Sequence, residues 1–273
     1  DIAYQGLYKE AYKDSWHNYH IAGTLKTVKG ISRDNAVEHH SKFYVPNNSI
    51  LCVVSSYSHE EVRKMVDCYF GKWESREIEK IIEHAQKIPT KKIQKYKKGI
   101  SQAHIIYAFD IQHLTRQDSI VLTLLSEKIG SGGNSILFKE LRDKRGLAYS
   151  VYTDIDFMKN LKMLYIYAGV SSENVDETCT VIEEIVSEIK DNFNISEKSL
   201  SLLKERFVID TEVTLQSSSS IVDYLIQGEI EYNSPLEYKE VLRVMEGVTV
   251  EDLQTISKKV FNNPLTYVLL PKE

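Results

Sequence analysis

The sequence predicts an α+β fold with helices packed on an antiparallel sheet, and three observations lead to this prediction. Strand-like and helix-like segments follow one another in mixed order, without the regular alternation of a doubly wound parallel sheet. The 273 residues are 42% hydrophobic, which is enough for a substantial core in one large or two medium domains. Two similar segments lie far apart in the chain, which indicates that a complete domain is preceded by part of a homologous one.

Local patterns predict the elements of the first third of the chain. Helices are predicted where apolar residues recur at helical spacing, often behind a serine N-cap, and a strand where a short apolar run lacks that spacing. In chain order, the predictions are a helix at 2–13, a loop or short turns at 16–30, a helix from Ser32 to about Tyr44, a strand at 49–55 and a helix from Ser58 to Gly71.

The composition changes between residues 74 and 98, where charges are dense and lysines accumulate toward the end. We interpret this stretch as an inter-domain connector that carries one short helix and one edge strand. The alternative is a basic patch for anionic partners, which no aromatic or motif context supports.

The rest of the chain predicts further helices and strands by the same criteria. They are strands at 103–111, 147–157, 161–170 and 265–270, and helices at 115–129, at 134–144, from Ser172, from Ser196 to about Gln227, at 235–245 and from Thr249.

The repeat joins residues 30–54 to residues 247–270. Each segment has a glycine, a Ser or Thr N-cap, a helix, an aromatic residue close to asparagine and proline, and an apolar strand. Caps and breakers recur for simple physical reasons, so convergence is the alternative. If the repeat is real, residues 1–73 are the last part of a first domain, 74–98 are the linker and 99–273 are a complete second domain. We then expect more than about 100 residues before Asp1.

Composition excludes several classes of function. The net charge of −5 comes from interspersed signs, so no nucleic-acid footprint is present. The longest apolar runs are far too short for a membrane span. Cys52, Cys68 and Cys179 lie in apolar periodic contexts without a CxxC motif, which predicts buried free thiols in a reducing, cytoplasmic compartment. No secretory leader opens the chain, although Asp1 is not a translation start and its absence says little about the address.

The sequence lacks the histidine spacing of a zinc peptidase. Such a site needs HExxH or HxxEH, which places two imidazoles one helical turn apart beside a glutamate. Glu38-His39 and Glu83-His84 resemble the tail of HxxEH, but Asn35 and Lys80 occupy the position of the first histidine. We therefore predict no metal site in this chain and interpret the histidines as surface or capping residues.

The glycine-rich stretch GSGGNS at 130–135 precedes a helix but lacks the Gly-Lys-Ser/Thr ending of a phosphate loop. We interpret it as a C-cap glycine, a flexible link and an N-cap at Asn134. The helix that follows places Arg142 near its C-terminal end, where a cation is favourable, and Gly146 breaks it. Alternation then predicts Leu147, Tyr149 and Val151 on one face of a strand. From the residues alone, Arg142 and Tyr149 are a helix-end arginine and a strand tyrosine that could lie close in space, and an ordinary structural role is favoured over a site.

Three segments carry a resemblance to a known family. NSILFKELRDKRGLAYSVYT at 134–153 resembles the second-domain signature of the pitrilysin/insulinase-like zinc peptidases, a superfamily that includes subunits of mitochondrial processing peptidase. Residues 21–55 are similar to the end of the family's first domain, and AHIIYAFDI at 103–111 resembles the strand that opens the second. The resemblance covers nearly the whole chain in the family's order.

The resemblance implies two homologous α+β domains that close like a clamshell on a peptide. In the family, HxxEH and a downstream glutamate of the N-terminal domain bind zinc and activate water. An arginine, and a tyrosine seven residues later, contact the substrate from the C-terminal domain. These positions fall on Arg142 and Tyr149, which we predict to be the site residues, whereas Arg145 does not match. The zinc ligands of the parent protein are expected upstream of Asp1, so this chain alone is predicted to be inactive.

Two functions follow from the resemblance. The chain is either the C-terminal portion of a zinc endopeptidase that acts on peptides or unfolded polypeptides, or a non-catalytic subunit or structural assembly partner. Its expected partners are the peptide and either a missing N-terminal domain in cis or a zinc-bearing subunit in trans. The intact Arg142 and Tyr149 favour the first function.

Overall fold

The computed structural model describes residues 2–13, 15–79, 86–158 and 160–272. It confirms the predicted α+β class, with helices packed on a five-stranded sheet. The chain divides into two compact units. One consists of Asp1–Tyr19, His84–Ile209 and Val241–Glu273, and the other of His20–Glu83 and Asp210–Glu240. The predicted domain boundaries come from the sequence repeat and not from packing, so they stay a prediction.

Most predicted elements are present with ends shifted by a few residues. The helices are α1 Ile2–Ala11, α2 Leu25–Lys29, α3 Arg33–Phe43, α4 His59–Phe70, α5 Arg116–Gly130, α6 Val175–Asn192, α7 Glu197–Thr214, α8 Ser218–Tyr232, α9 Glu237–Gly247 and α10 Val250–Val260. The strands are β1 Lys91–Lys97, β2 Ala103–Asp110, β3 Ala148–Met158, β4 Leu161–Val170 and β5 Leu265–Pro271.

The sheet has the strand order β1-β5-β2-β4-β3. Neighbouring strands are antiparallel, as predicted, except that β1 runs parallel to β5. Strand β1 lies within the predicted connector and forms one edge of the sheet, which confirms the predicted edge strand there. Residues 80–85 of the connector, including the Glu83-His84 pair, lie outside the described residues. Strand β3 forms the other edge.

Both faces of the sheet are covered. On β2, alternate residues enter different cores: Ile105 and Phe109 pack with α5, α6 and α10, while Ile106 packs with α1. Leu7 of α1 and Tyr12, just beyond the helix, are almost completely buried against this second face. Since burying one large apolar side chain contributes about 1.5–3 kcal/mol, α1 is held firmly on the sheet.

In the unit formed by His20–Glu83 and Asp210–Glu240, two predicted helix starts are confirmed and one predicted strand is wrong. Ser32 and Ser58 each cap a helix in a reciprocal capping box. Residues 49–55 are not a strand: no other segment of the described chain forms a ladder with them. Their apolar side chains Ile50, Leu51, Val53 and Val54 are exposed or nearly so. An apolar run forms a β-strand only where another strand pairs with it, and no described segment does so here.

The single helix predicted from Ser196 to about Gln227 is instead two helices, α7 and α8. The interruption lies at residues 215–217, where the backbone tightens into short turns. Hydroxyl groups compete with the helical ladder here: Thr214 Oγ1 donates to the Asp210 carbonyl at 2.7 Å, and the hydroxyls of Ser217 and Ser219 hydrogen bond to each other at 2.8 Å.

The cysteines are all free, as predicted, but only Cys179 is buried; Cys52 is half-buried and Cys68 is exposed. The prediction of burial is therefore confirmed for Cys179 and wrong for Cys52 and Cys68. Across the residues that the structure describes, no helix combines the length and the apolar character that crossing a membrane requires.

Candidate functional site

Arg142 lies on a π-helical turn that spans Phe138–Asp143, where the sequence predicted an ordinary helix. The wider turn shows in the hydrogen bond from Lys144 N–H to the Lys139 carbonyl, five residues earlier, at 3.0 Å. Single π-turns are frequent at functional sites. The guanidinium of Arg142 lies over the Phe138 ring, 5.0 Å from its centroid, and this cation–π contact holds the side chain on one side of the turn.

Both ends of the turn are fixed. Ser135, which is 1% exposed, accepts a hydrogen bond from Phe138 N–H at 3.3 Å, so the capping residue is Ser135 and not Asn134 as predicted. At the other end Gly146 has a φ of +63°, a left-handed conformation that favours glycine. Leu147 N–H then donates to the Leu141 carbonyl at 2.8 Å, which closes the helix end in the manner of a Schellman motif.

Tyr149 projects from a β-bulge at the start of β3. In the ladder with β4, Ala148 pairs with Val170 and Ser150 pairs with Gly169, so Tyr149 is the extra residue. The predicted alternation is therefore wrong at this point: Leu147 and Ala148 are both buried, whereas Tyr149 is 75% exposed. Bulges redirect a side chain and often lie beside functional sites.

Arg142 and Tyr149 line one cleft of about 360 Å³. Five consecutive β3 residues, Tyr149 to Thr153, form one wall. Side chains alternate between the two faces of a strand, so a cleft lined by five successive residues fits one that runs along the outer edge of β3. Phe138, Glu127 and the glycine stretch at 130–133 form the other walls. The sequence predicted Arg142 and Tyr149 as site residues but did not predict the strand edge at residues 150–153 beside them.

The glycine stretch has a packing role that its interpretation as a flexible link missed. Gly130 is the last residue of α5, and a Cβ there would lie 2.2 Å from the Thr153 backbone nitrogen. This close approach lets Thr153 Oγ1 donate to the Ser126 carbonyl at 2.8 Å and accept from Ser126 Oγ at 2.9 Å. Helix α5 is thereby fastened to β3 beside the cleft.

Lys144 and Arg145 form ion pairs with Glu140, whereas Arg142 forms none with a described residue. Lys144 Nζ lies 2.5 Å from Glu140 Oε1, and an Arg145 guanidinium nitrogen lies 2.6 Å from Glu140 Oε2. The hydrogen bonds from Lys144 and Arg145 hold the pKa of Glu140 below its usual value. Arg145 is therefore a partner of Glu140 as well as a surface residue. Within the described ranges no carboxylate pairs with Arg142, which lines the cleft.

A tyrosine network supports β3 from the face opposite α5. The ring of Tyr152, which also lines the cleft, stacks on Tyr167 with centroids 4.8 Å apart. The hydroxyls of Tyr152 and Tyr4 lie 2.7 Å apart, and Tyr167 is within hydrogen-bonding distance of His104. Such aromatic pairs contribute about 0.5–1.5 kcal/mol beyond their burial, so they restrain β3 near the cleft.

The residues that the structure describes do not fit a zinc ion. Among the described residues, no group of three His, Cys, Asp or Glu side chains is arranged to hold a metal. His17 lies 2.7 Å from Ser15 Oγ, and His39 and His40 pack on Phe43 and Tyr44 respectively. These contacts agree with the interpretation of these histidines as capping or surface residues.

A family model described as the peptidase M16 inactive domain matches residues 30–207. The match covers more than half of the chain, so the chain belongs to the peptidase M16 family, and the predicted resemblance is confirmed. It is 24% identical over 274 residues to the uncharacterized zinc protease YmxG of Bacillus subtilis. That alignment takes in 99% of this chain and 65% of YmxG, so the chain spans less than two thirds of this relative's length.

Solved structures show the same fold. A peptidase M16 inactive domain from Pseudomonas fluorescens superposes with a TM-score of 0.87 at 19% identity, over 100% of this chain and 65% of that one. A protease from Helicobacter pylori superposes with a TM-score of 0.84 at 20% identity, over 99% and 66% respectively. At these identities the likeness establishes the fold and leaves the activity open.

Proposed function

We propose that this chain is the substrate-holding portion of a zinc-dependent endopeptidase, and that Arg142 and Tyr149 contact an extended peptide along β3. One observation supports this most strongly: Arg142, the bulged Tyr149 and the outer edge of β3 line the same cleft. The family membership and the zinc-protease names of its relatives agree with it.

The peptide binds as an added strand. An edge strand presents a row of backbone N–H and C=O groups without ladder partners, and a peptide that pairs with them gains affinity independently of its sequence. The cleft follows β3 for five residues, which is about the length of a typical paired segment. Binding of this kind suits a protein that accepts unfolded polypeptides.

Arg142 and Tyr149 then act on the carbonyl of the bound peptide. The Arg142 guanidinium offers several donors in a fixed plane. No carboxylate among the described residues pairs with it, so none competes with the peptide for these donors. The phenol of Tyr149 is exposed and stands where the bulge directs it. Together they orient the carbonyl and stabilise the negative charge that develops on its oxygen during hydrolysis.

The metal belongs to another part of the protein in this proposal. Relatives carry the name zinc protease, but the described residues of this chain do not fit the ion. We place the zinc ligands in an N-terminal domain of the same polypeptide or in a second subunit, which closes with this chain around the peptide.

The test compares Arg142, on the π-helical turn, with Arg145, just beyond it, in the assembled zinc-bearing protein. Arg142→Ala is expected to lower the turnover of an unstructured peptide by about 100-fold, the loss typical of one donor to a developing oxyanion. The matched control, Arg145→Ala, removes the same charge from just beyond that turn and is expected to leave turnover nearly unchanged. Circular dichroism checks that both variants fold. Unchanged turnover by the Arg142→Ala variant contradicts the proposed role of Arg142. If the assembled protein has no HxxEH motif and cleaves no peptide, the chain is instead a non-catalytic subunit.

A further inference from the structure

The bulge at Tyr149 stands next to a row of three residues that crosses three strands. Ser150, the residue after the bulge, pairs with Gly169 of β4, and Gly169 pairs on its other side with His104 of β2. Directly paired residues present their side chains on the same face of a sheet. Since Gly169 carries no side chain, the middle of the row is open on that face. Neighbouring side chains can therefore meet above Gly169, beside the bulge.

Four polar side chains converge at this open position, and we call them the Gly169 cluster: Gln102, His104, Ser150 and Tyr167. A Cβ on Gly169 would lie 2.9 Å from Ser150 Oγ and 3.1 Å from both Gln102 Nε2 and Tyr167 Oη. The Tyr167 hydroxyl also lies 2.8 Å from His104 Nδ1. Burial raises the pKa of Tyr167, and a hydrogen bond with Ser150 opposes that rise. The cluster thus links the interior strands of the sheet to the first paired residue after the bulge.

Tyr167 is the most firmly held member of this cluster. It is 7% exposed, and its ring stacks on those of Tyr4 and Tyr152, with centroids 5.8 and 4.8 Å apart respectively. Strand β4, which carries Tyr167, is paired on both sides, whereas Ser150 lies on the edge strand β3. A group whose own position is fixed by packing can hold a less constrained neighbour in place. Tyr167 is therefore able to order the edge strand at Ser150.

The position of the bulge depends on which of two residues pairs with Gly169. In the structure Ser150 is paired and Tyr149 is the extra residue. If Tyr149 paired with Gly169 instead, Ser150 would become the extra residue and the ladder pairs on either side would be unchanged. Aromatic side chains readily pack over a glycine of the neighbouring strand, so this arrangement competes with the observed one. The Gly169 cluster opposes it, because Tyr167 Oη already occupies the space above Gly169 and bonds to Ser150.

We propose that Tyr167 is a positioning residue for Tyr149: by holding Ser150 opposite Gly169, it keeps the bulge at Tyr149 and that side chain directed to the cleft. The inference rests on the proposed function, because it identifies what presents Tyr149 to the bound peptide. Loss of one hydrogen bond shifts an equilibrium by roughly fivefold. A chain without the Tyr167 hydroxyl therefore presents Tyr149 in a smaller fraction of molecules, and its apparent affinity for the peptide falls with that fraction.

The experiment measures the affinity of the full chain for a labelled, proline-free, unstructured peptide by fluorescence anisotropy. Tyr167→Phe removes the hydroxyl from the cluster and keeps the buried ring. The matched control is Tyr165→Phe: Tyr165 lies on the same face of β4 and donates to Asp154 Oδ2 of β3 at 3.0 Å, away from the bulge. Gly169→Ala is a second variant, because its methyl group displaces Ser150 Oγ while the Tyr167 hydroxyl is kept. Urea unfolding checks that all the variants fold.

Tyr167→Phe and Gly169→Ala are each expected to weaken peptide binding about three- to fivefold, and Tyr165→Phe by less than about twofold. Tyr149→Ala is expected to weaken it about tenfold in the unmodified chain but only about two- to threefold in the Tyr167→Phe variant, because Tyr149 is then already displaced in most molecules. Equal losses in Tyr167→Phe and Tyr165→Phe, or an undiminished effect of Tyr149→Ala in the Tyr167→Phe variant, overturn the inference while the proposed function stands. Absence of binding by the unmodified chain, or no effect of Tyr149→Ala there, contradicts the proposed function together with the inference.

Discussion

Replacing Gly130 by alanine tests whether the close approach of α5 to β3 builds the cleft wall. The new Cβ would lie 2.2 Å from the Thr153 nitrogen and 2.3 Å from its Oγ1, far inside normal contact. Because one of these atoms is backbone, strand and helix must separate. Overpacking of this kind costs about 1–3 kcal/mol, and each Ser126–Thr153 hydrogen bond that breaks costs about 1 kcal/mol more. The higher helix propensity of alanine offsets at most about 1 kcal/mol of this cost, so the free energy of unfolding is expected to fall by about 2–3 kcal/mol.

The assay is urea unfolding followed by circular dichroism, with Gly247→Ala as the matched control. Gly247 is likewise the last residue of its helix, α9, and no atom lies within 4 Å of a Cβ built there. We expect Gly247→Ala to change the free energy of unfolding by less than about 0.5 kcal/mol. Equal stability of the two variants would refute the reasoning, because the only intended difference between them is the space that the new methyl group meets.

Two further predictions concern zinc and pH. The purified chain is expected to bind no stoichiometric zinc by elemental analysis and to leave a fluorogenic peptide uncleaved; zinc-dependent cleavage by the chain alone would contradict the proposed division of the site. The pKa of Asp156 is raised above its ordinary 3.8, so the native state binds its proton more tightly than the unfolded state does. The contribution of Asp156 to the free energy of unfolding therefore decreases as the pH rises from about 3.8 through the raised value. Urea unfolding at several pH values measures this, and Asp156→Asn is expected to lack the decrease. If the difference in free energy of unfolding between the variant and the unmodified chain stays constant over that pH range, the pKa of Asp156 is not raised.

Local signals in the sequence predicted the helices and most strands well. Ser32 and Ser58 were recognised as N-caps because a hydroxyl followed three residues later by a suitable partner satisfies backbone groups within one turn. Gly146 was recognised as a helix terminator for a similar reason, since its left-handed conformation disfavours most other residues. Such features depend on a few adjacent residues and are therefore visible in a single sequence.

The features that shape the site depend on contacts between distant residues. The bulge at Tyr149 arises from the register between β3 and β4, which no local pattern determines. The role of Gly130 depends on Thr153, which lies on a different element. The parallel pairing of β1 with β5 joins segments that are far apart in the chain. Arg142 and Tyr149 themselves were selected by family resemblance; the cleft that they share is consistent with that selection, and their role stays a prediction.

The most direct test of substrate holding at β3 is amide hydrogen exchange in the full chain with and without an unstructured peptide. The proposed function predicts slower exchange at residues 149–154 when the peptide is present, because added strand hydrogen bonds protect those amides. Arg142→Ala should weaken this protection and Arg145→Ala should retain it. Unchanged exchange along β3 at peptide concentrations that saturate binding, or protection confined to the β1 edge, would contradict the proposal.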